Sequence, residues 1–158
     1  MTDVVIRPLR RDEADAVAAW AYEAPYDIYD GDPANAADFL AVDDDGYGYF
    51  GIARRDTDEV IGFCCFGVEA RVRGQDAQPG TVDVGGGVRP DLLSRGLATQ
   101  VFPSILEFAR LRFRPERFRT AIAAFNDRST RLCLSAGFDV VRRFDVDGRE
   151  FQELVRDA

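Results

Sequence analysis

Short apolar runs alternate with apolar positions at helical spacing along the chain. Val4, Val5 and Ile6, closed by Pro8, predict a first strand, and Arg11 to Trp20 carries Ala14, Val17 and Ala18 on one helical stripe. Tyr22 to Pro33 is aromatic, acidic and interrupted by Pro25, Gly31 and Pro33, the pattern of a loop or a broken helix. Ala34 to Val42 reads as a weak second helix. Asp43-Asp44-Asp45-Gly46 is turn chemistry before a strand over Tyr47 to Ala53; Arg55 to Asp58 then turns into a strand over Val60 to Glu69. After a polar loop from Gly74 to Gly80 comes a glycine-rich strand, Thr81 to Val88. Beyond Pro90, Leu97, Val101, Ile105 and Phe108 predict a long helix from Ser94 to Leu111, with a kink expected at Pro103. Phe118 to Ala124 is a short strand, and Asn126 suits the N-cap of a helix that Gly137 ends as C′. Phe138 to Val146, a turn at Asp147-Gly148 and Glu150 to Val155 predict a terminal hairpin. The order is β-α-α-β-β-β-α-β-α-β-β, with no repeat or linker. It predicts one α+β, mixed-sheet domain over residues 1–158.

A chain of 158 residues is long enough for a core without staples. Its net charge of −8 disfavours a nucleic-acid binder, which would present a basic face. The kinds of charge narrow the chemistry further. All 20 basic residues are Arg, with no Lys and no His. That excludes a Ser-His-Asp triad, His-ligated zinc, a Schiff base and a Walker lysine. Acid–base work falls to Asp, Glu, Tyr, Cys or water, and no metal is expected. Cys64, Cys65 and Cys133 form no C-x-x-C pair and leave one thiol over, the pattern of reduced cysteines in a cytoplasm. The N-terminus shows no apolar h-region, and the apolar run Val60 to Val68 is far short of a bilayer span, so neither a leader nor a membrane partner is expected.

The segment that stands out is G-G-G-V-R-P-D-L-L-S-R-G-L-A, residues 85–98. Gly85, Gly86 and Gly87 remove side chains at a strand end, so either a ligand lies against the backbone or the strand bulges there. Pro90 stops the ladder and leaves main-chain groups free. Arg95-Gly96 then opens a helix whose first-turn N–H groups lack partners and whose dipole favours an anion. An elongated, phosphate-bearing ligand fits such a strand edge and helix end.

The stretch V-R-P-D-L-L-S-R-G-L-A resembles the acetyl-CoA-binding motif of GNAT-type N-acetyltransferases. The later run N-D-R-S-T-R-L-C-L-S-A-G-F resembles that family's second signature, and the element order before and after is similar too. The resemblance implies a central, mostly antiparallel twisted sheet with a splayed parallel pair and helices on both faces. It implies acetyl-CoA as cosubstrate, with main-chain contacts from Gly87 and Val88 to the pantetheine arm. Ser94, Arg95, Gly96, Leu97 and Ala98 would wrap the pyrophosphate, Thr99 would add its hydroxyl, and Asn126 would meet the cofactor near its thiol. The Val88 N–H is the implied oxyanion donor. Two departures stand out: Leu93 replaces the usual Gln or Arg, and Cys133 stands where many members carry a Tyr that protonates the departing thiolate.

The implied activity is transfer of an acetyl group from acetyl-CoA to a primary amine by direct attack. The alternative is a non-catalytic acyl-CoA-binding module of the same fold. Glu69 and, after it, Asp83 are the candidate bases for the amine, directly or through water. Cys133 is either a thiol donor or a small apolar filler. Trp20, Tyr22, Tyr26 and Tyr29 with Asp27, Asp30 and Asp32 either suit a cationic amine or are packing and solvated surface. The acceptor is a small molecule or a peptide amine, and the resemblance also brings a homodimer, common in that family.

Overall fold

The computed structural model describes residues 3–158; Met1 and Thr2, the first residues of the expected domain, lie outside the described residues. Seven strands pair in the order β1-β2-β3-β4-β5-β7-β6: β1 (Val4–Arg7), β2 (Tyr49–Arg54), β3 (Val60–Phe66), β4 (Thr81–Val88), β5 (Arg117–Ala123), β6 (Asp139–Val146) and β7 (Arg149–Asp157). The α-helices are α1 (Arg11–Ala18), α2 (Leu97–Phe113) and α3 (Asp127–Ser135). The fold is mixed α+β, mostly antiparallel, with β4 and β5 as its parallel pair. The chain divides into two compact units, Met1–Cys65 with Gly86–Ile105, and Phe66–Gly85 with Leu106–Ala158.

In the first unit β1 and β2 pair antiparallel from Val4↔Arg54 to Arg7↔Gly51, and β2 pairs with β3 through Tyr49↔Cys65 to Ala53↔Val60. Helix α1 buries Ala14, Val17 and Ala18, the stripe its sequence predicts. Arg7 sends both terminal nitrogens to Glu13 at 2.8 Å, and Glu13 also accepts from the Arg10 N–H, fixing the helix entry. The expected second helix is a 3₁₀ segment, Pro33–Leu40, with non-helical angles at Asn35. Asp32 caps its start, accepting from the Ala34 N–H at 2.9 Å, but the break at Asn35 keeps the turns short and 3₁₀.

In the second unit β5 pairs with β7 from Arg117↔Asp157 to Ala123↔Phe151, and β6 closes the edge against β7. Phe66 stacks on Phe108 at 5.8 Å and meets Phe113 at 5.3 Å, while Phe118, Phe138 and Leu154 are fully buried. Asp147 and Gly148 both have positive φ, the requirement of the two-residue turn expected there. Asn126 caps α3, its Oδ1 accepting from the Ser129 N–H at 3.1 Å, and Gly137 ends it at φ 92°.

Two boundaries near the candidate site differ from the sequence reading. Strand β3 stops at Phe66, because Gly67 turns the backbone to φ 78° and Gly67–Ala70 is a 3₁₀ turn. Glu69 therefore sits on that turn and not at a strand end. Helix α2 begins at Leu97, not Ser94, since Ser94 and Gly96 both lie in the left-handed region. It also runs on through Pro103, which is exposed.

Candidate functional site

Strand β4 emerges from a short parallel ladder. Thr81, Val82 and Asp83 pair with Arg117, Phe118 and Arg119, and the pairing ends there. The last register is also a buried ion pair: Asp83 Oδ1 accepts from Arg119 Nε at 2.5 Å, and its Oδ2 accepts from Arg119 at 3.1 Å and from Arg71 Nε at 2.8 Å. Arg119 also donates to the Asp76 carbonyl at 2.7 Å and lies 3.6 Å from Glu153. Asp83, 2% exposed, is thus not presented as the available base that the sequence allowed. Both carboxylate oxygens accept from guanidinium groups, the arrangement of a structural ion pair.

The glycine run is explained largely by the protein itself. A Cβ on Gly86 would come 2.7 Å from the Phe63 carbonyl oxygen, and one on Gly87 would come 2.8 Å from the Phe63 ring and 3.2 Å from the Tyr22 hydroxyl. Opposite them, a Cβ on Gly62 would meet the Gly87 carbonyl at 2.8 Å. These residues are small so that β3, β4 and two aromatic rings can close on each other, whereas the sequence suggested a ligand or a bulge. Phe63 in turn packs with Trp20 at 6.3 Å, Phe39 at 5.9 Å and Tyr49 at 6.0 Å. Trp20 is therefore packing; Tyr29 is largely exposed.

Beyond β4 the Arg89 N–H donates to the Ile61 carbonyl at 2.9 Å. Backbone groups of successive strand residues point to opposite edges, so those of Val88 project from the edge away from β3. The Val88 carbonyl accepts from the Tyr22 hydroxyl at 2.8 Å. Arg89 is tied to Glu59 and Asp91, which takes it out of the set of free cations near the helix. Gly96 is different from the earlier glycines. It has φ 72°, and a Cβ built on it would meet nothing within 4 Å. It immediately precedes α2, whose first internal bond runs from the Gln100 N–H to the Gly96 carbonyl. The N–H groups of Leu97, Ala98 and Thr99 thus lack intrahelical partners, with exposed Ser94 and Arg95 just before them. That geometry fits a phosphate.

The remaining predicted residues belong to the second unit. Asn126 is buried, its carboxamide oxygen occupied by the α3 cap. Cys133 is 5% exposed, and burial pushes its thiol up to about 12. Free thiols titrate near 8.5, so proton donation from such a group to a departing thiolate would be uphill by about 5 kcal/mol. Glu69 is exposed on its 3₁₀ turn. Among the described residues no group of His, Cys, Asp or Glu is arranged to hold a metal, and no helix is long and apolar enough to cross a membrane. Sequence reasoning missed the link between Tyr22 and Val88, 66 positions apart, for which no local pattern exists.

Comparison with known proteins agrees with this architecture. The family profile described as Acetyltransferase (GNAT) domain matches residues 3–139, nearly the whole chain. The chain belongs to the GNAT acetyltransferase family. Among solved structures it is similar to a protein from Bordetella pertussis described as a GNAT-family acetyltransferase (24% identity, TM-score 0.75, covering 99% of this chain and 97% of that one). It is also similar to aminoglycoside acetyltransferase AAC(6')-Ib in complex with coenzyme A and kanamycin (15% identity, TM-score 0.78, 98% and 95%). A third is the spermidine/spermine N-acetyltransferase SpeG from Vibrio cholerae (12% identity, TM-score 0.69, 98% and 95%). No curated protein sequence matches the chain.

Proposed function

We propose that this chain is a cytoplasmic, acetyl-CoA-dependent N-acetyltransferase, one domain over residues 1–158 that acetylates a primary amine by direct attack. The observation that carries the reading is Gly96, a left-handed residue with open space at its Cβ position, set at the start of α2. In this reading the main chain of Ser94, Arg95, Gly96, Leu97 and Ala98, with the Thr99 hydroxyl, holds the pyrophosphate. The pantetheine arm runs along the edge of β4 at Gly87 and Val88, where Val88 turns its main-chain groups outward and Gly87 turns its own toward β3, and Asn126 meets its thiol end. Bound acetyl-CoA supplies the activated acetyl group. The Val88 N–H is the donor for the oxygen that gains charge, and Glu69 or water takes the proton from the amine. The burial of the Cys133 thiol supports a packing role for it, with the leaving thiolate protonated from solvent.

For the acceptor, the reading favours a cationic amine. Residues 12–53 hold eleven acidic residues and no basic one, in a chain whose net charge is only −8. Such a segment attracts a polycation and raises its encounter rate. Kanamycin and spermidine, named for two of the structural neighbours, are polyamines of that charge.

Thermal unfolding over an acetyl-CoA series tests the binding step. Ligand at about a hundred times its Kd adds ~2.7 kcal/mol, which is about 5–10 °C for a chain of this size. Gly96→Asp should abolish most of that rise; because φ 72° strains an Asp by about 1–2 kcal/mol, the rise is read against the variant's own, lower apo melting point. No rise with acetyl-CoA or CoA in the wild type would overturn the reading. The non-catalytic alternative is favoured by the poor acidity of Cys133. CoA release with kanamycin, spermidine or phosphinothricin would exclude it.

A further inference from the structure

We propose that Tyr22 is a positioning residue for acyl transfer: by donating its hydroxyl to the Val88 carbonyl, it caps that oxygen and leaves the Val88 N–H as the donor presented by the free edge of β4. The inference rests on the acetyltransferase reading above and deepens it at the same site.

Three observations converge on the hydroxyl. It lies 2.8 Å from the Val88 oxygen, and the next N–H, that of Arg89, is bonded to Ile61 at 2.9 Å. The peptide group between Val88 and Arg89 is therefore held from both sides. Gly87 lacks a side chain where one would come 3.2 Å from the same hydroxyl, so the strand is shaped to admit the phenol. The ring is also anchored at its own backbone, where the Tyr22 N–H donates to Asp30 Oδ1 at 2.8 Å. Burial, followed by the Asp30 charge, pushes the phenol up to about 12, so it remains a donor throughout the neutral range.

The chemical consequence follows from strand geometry. The N–H and C=O of one strand residue point to the same edge, side by side. An uncapped carbonyl next to an oxyanion donor repels the oxygen that the donor is meant to stabilise. With its lone pair engaged by Tyr22, the Val88 carbonyl opposes that charge less. Charge on the reacting oxygen is greater in the transition state than in bound acetyl-CoA, so the effect falls on kcat more than on binding.

Tyr22→Phe removes only the oxygen and tests this. Three quantities are compared between wild type and variant: the Kd for acetyl-CoA by calorimetry, CoA release with kanamycin, spermidine and phosphinothricin, and the infrared carbonyl band of bound acetyl-CoA carrying ¹³C at the thioester carbon. The expected result is a Kd within about twofold, kcat lowered about five- to tenfold at unchanged KM for the amine, and a smaller downshift of the carbonyl band than in wild type. Wild-type kcat and an unmoved band would overturn the proposal, as would a joint loss of melting temperature, Kd and kcat, which would mark Tyr22 as merely structural. If wild type binds acetyl-CoA but turns over none of the three amines, the band decides alone. If wild type does not bind acetyl-CoA, the acetyltransferase reading itself fails, and this inference with it.

Discussion

Replacing Asp83 by Asn separates a structural carboxylate from a catalytic one. Asp83 and Arg119 have side chains only 3% and 2% exposed, and the carboxylate receives two bonds from Arg119 and one from Arg71. Asn keeps the size but removes the charge, leaving the buried Arg119 guanidinium with a neutral amide oxygen, the Asp76 carbonyl at 2.7 Å and Glu153 at 3.6 Å. Breaking a buried pair from one side costs about 3–5 kcal/mol. The surviving acceptors put this case near the lower end, about 3 kcal/mol. At about 2–4 °C per kcal/mol for a chain of this length, the melting temperature should fall by about 6–12 °C. The double variant Asp83→Leu with Arg119→Leu should recover much of that loss, because neither fully buried charge is then left, and Arg71, which loses its Asp83 partner, has a side chain 22% exposed to water. Urea titrations of wild type, Asp83→Leu, Arg119→Leu and the double variant close the cycle, with Asp83→Asn measured beside them. A stability for Asp83→Asn within about 1 kcal/mol of wild type would refute the reasoning. So would a folded variant of normal stability whose acetyl transfer has collapsed, since that is the behaviour of a base.

Further outcomes follow from the same geometry. Gly86→Ala should destabilise the protein by about 1–3 kcal/mol, because its Cβ would meet the Phe63 carbonyl at 2.7 Å and neither strand can yield freely; thermal melts check this, and an unchanged melting point would mean the glycine serves a ligand instead. Acid stability should depend on Glu13, which the Arg7 guanidinium bonded to it holds below the usual carboxylate range. Because its pKa is lower folded than unfolded, its contribution is fully present above about 4.5 and is lost as pH falls below that, so Glu13→Gln should flatten the acid limb of a stability–pH curve. On the alkaline side the sign is reversed. Burial raises Cys133 from 9.0 to about 12, so the unfolded chain loses that proton first and stability should fall as pH rises between those values; Cys133→Ala should make the fall shallower in urea titrations.

Much of the fold was legible because its boundaries are set by local chemistry. Strand β4 runs from Thr81 to Val88 as its pattern predicts, since Gly80 at φ 71° starts it and Pro90 stops the chain beyond it. Helix α3 follows its cap at Asn126 and its end at Gly137 for the same reason. The end of β3 was not legible: Val68 and Glu69 continue an apolar-polar alternation, and only the left-handed Gly67 breaks it. The Asp83–Arg119 pair was out of reach for a different cause. Its partners are 36 residues apart, and the one local hint was a carboxylate set between Val82 and Val84 on a strand buried on both sides.

The site was legible where backbone conformation matters and opaque where tertiary packing does. Gly85, Gly86 and Gly87 look, in sequence, like the functional glycines, because three in a row are conspicuous. Yet the direction of a Cβ on Gly86 or Gly87 is already filled by Phe63 and, at Gly87, by Tyr22. The same atom on Gly96, nine residues past Gly87, would point into clear space. A sequence cannot tell a glycine that makes room for its own fold from one that makes room for something else, because both are the absence of a side chain. The difference lies in what stands opposite: a neighbouring strand at Gly86, a phenol at Gly87, and an open helix start at Gly96. The first glycine should therefore answer to a stability measurement and the last to a binding measurement beyond the strain of its φ 72°, while Gly87 should show both, since the ring it admits holds the carbonyl beside the proposed oxyanion donor.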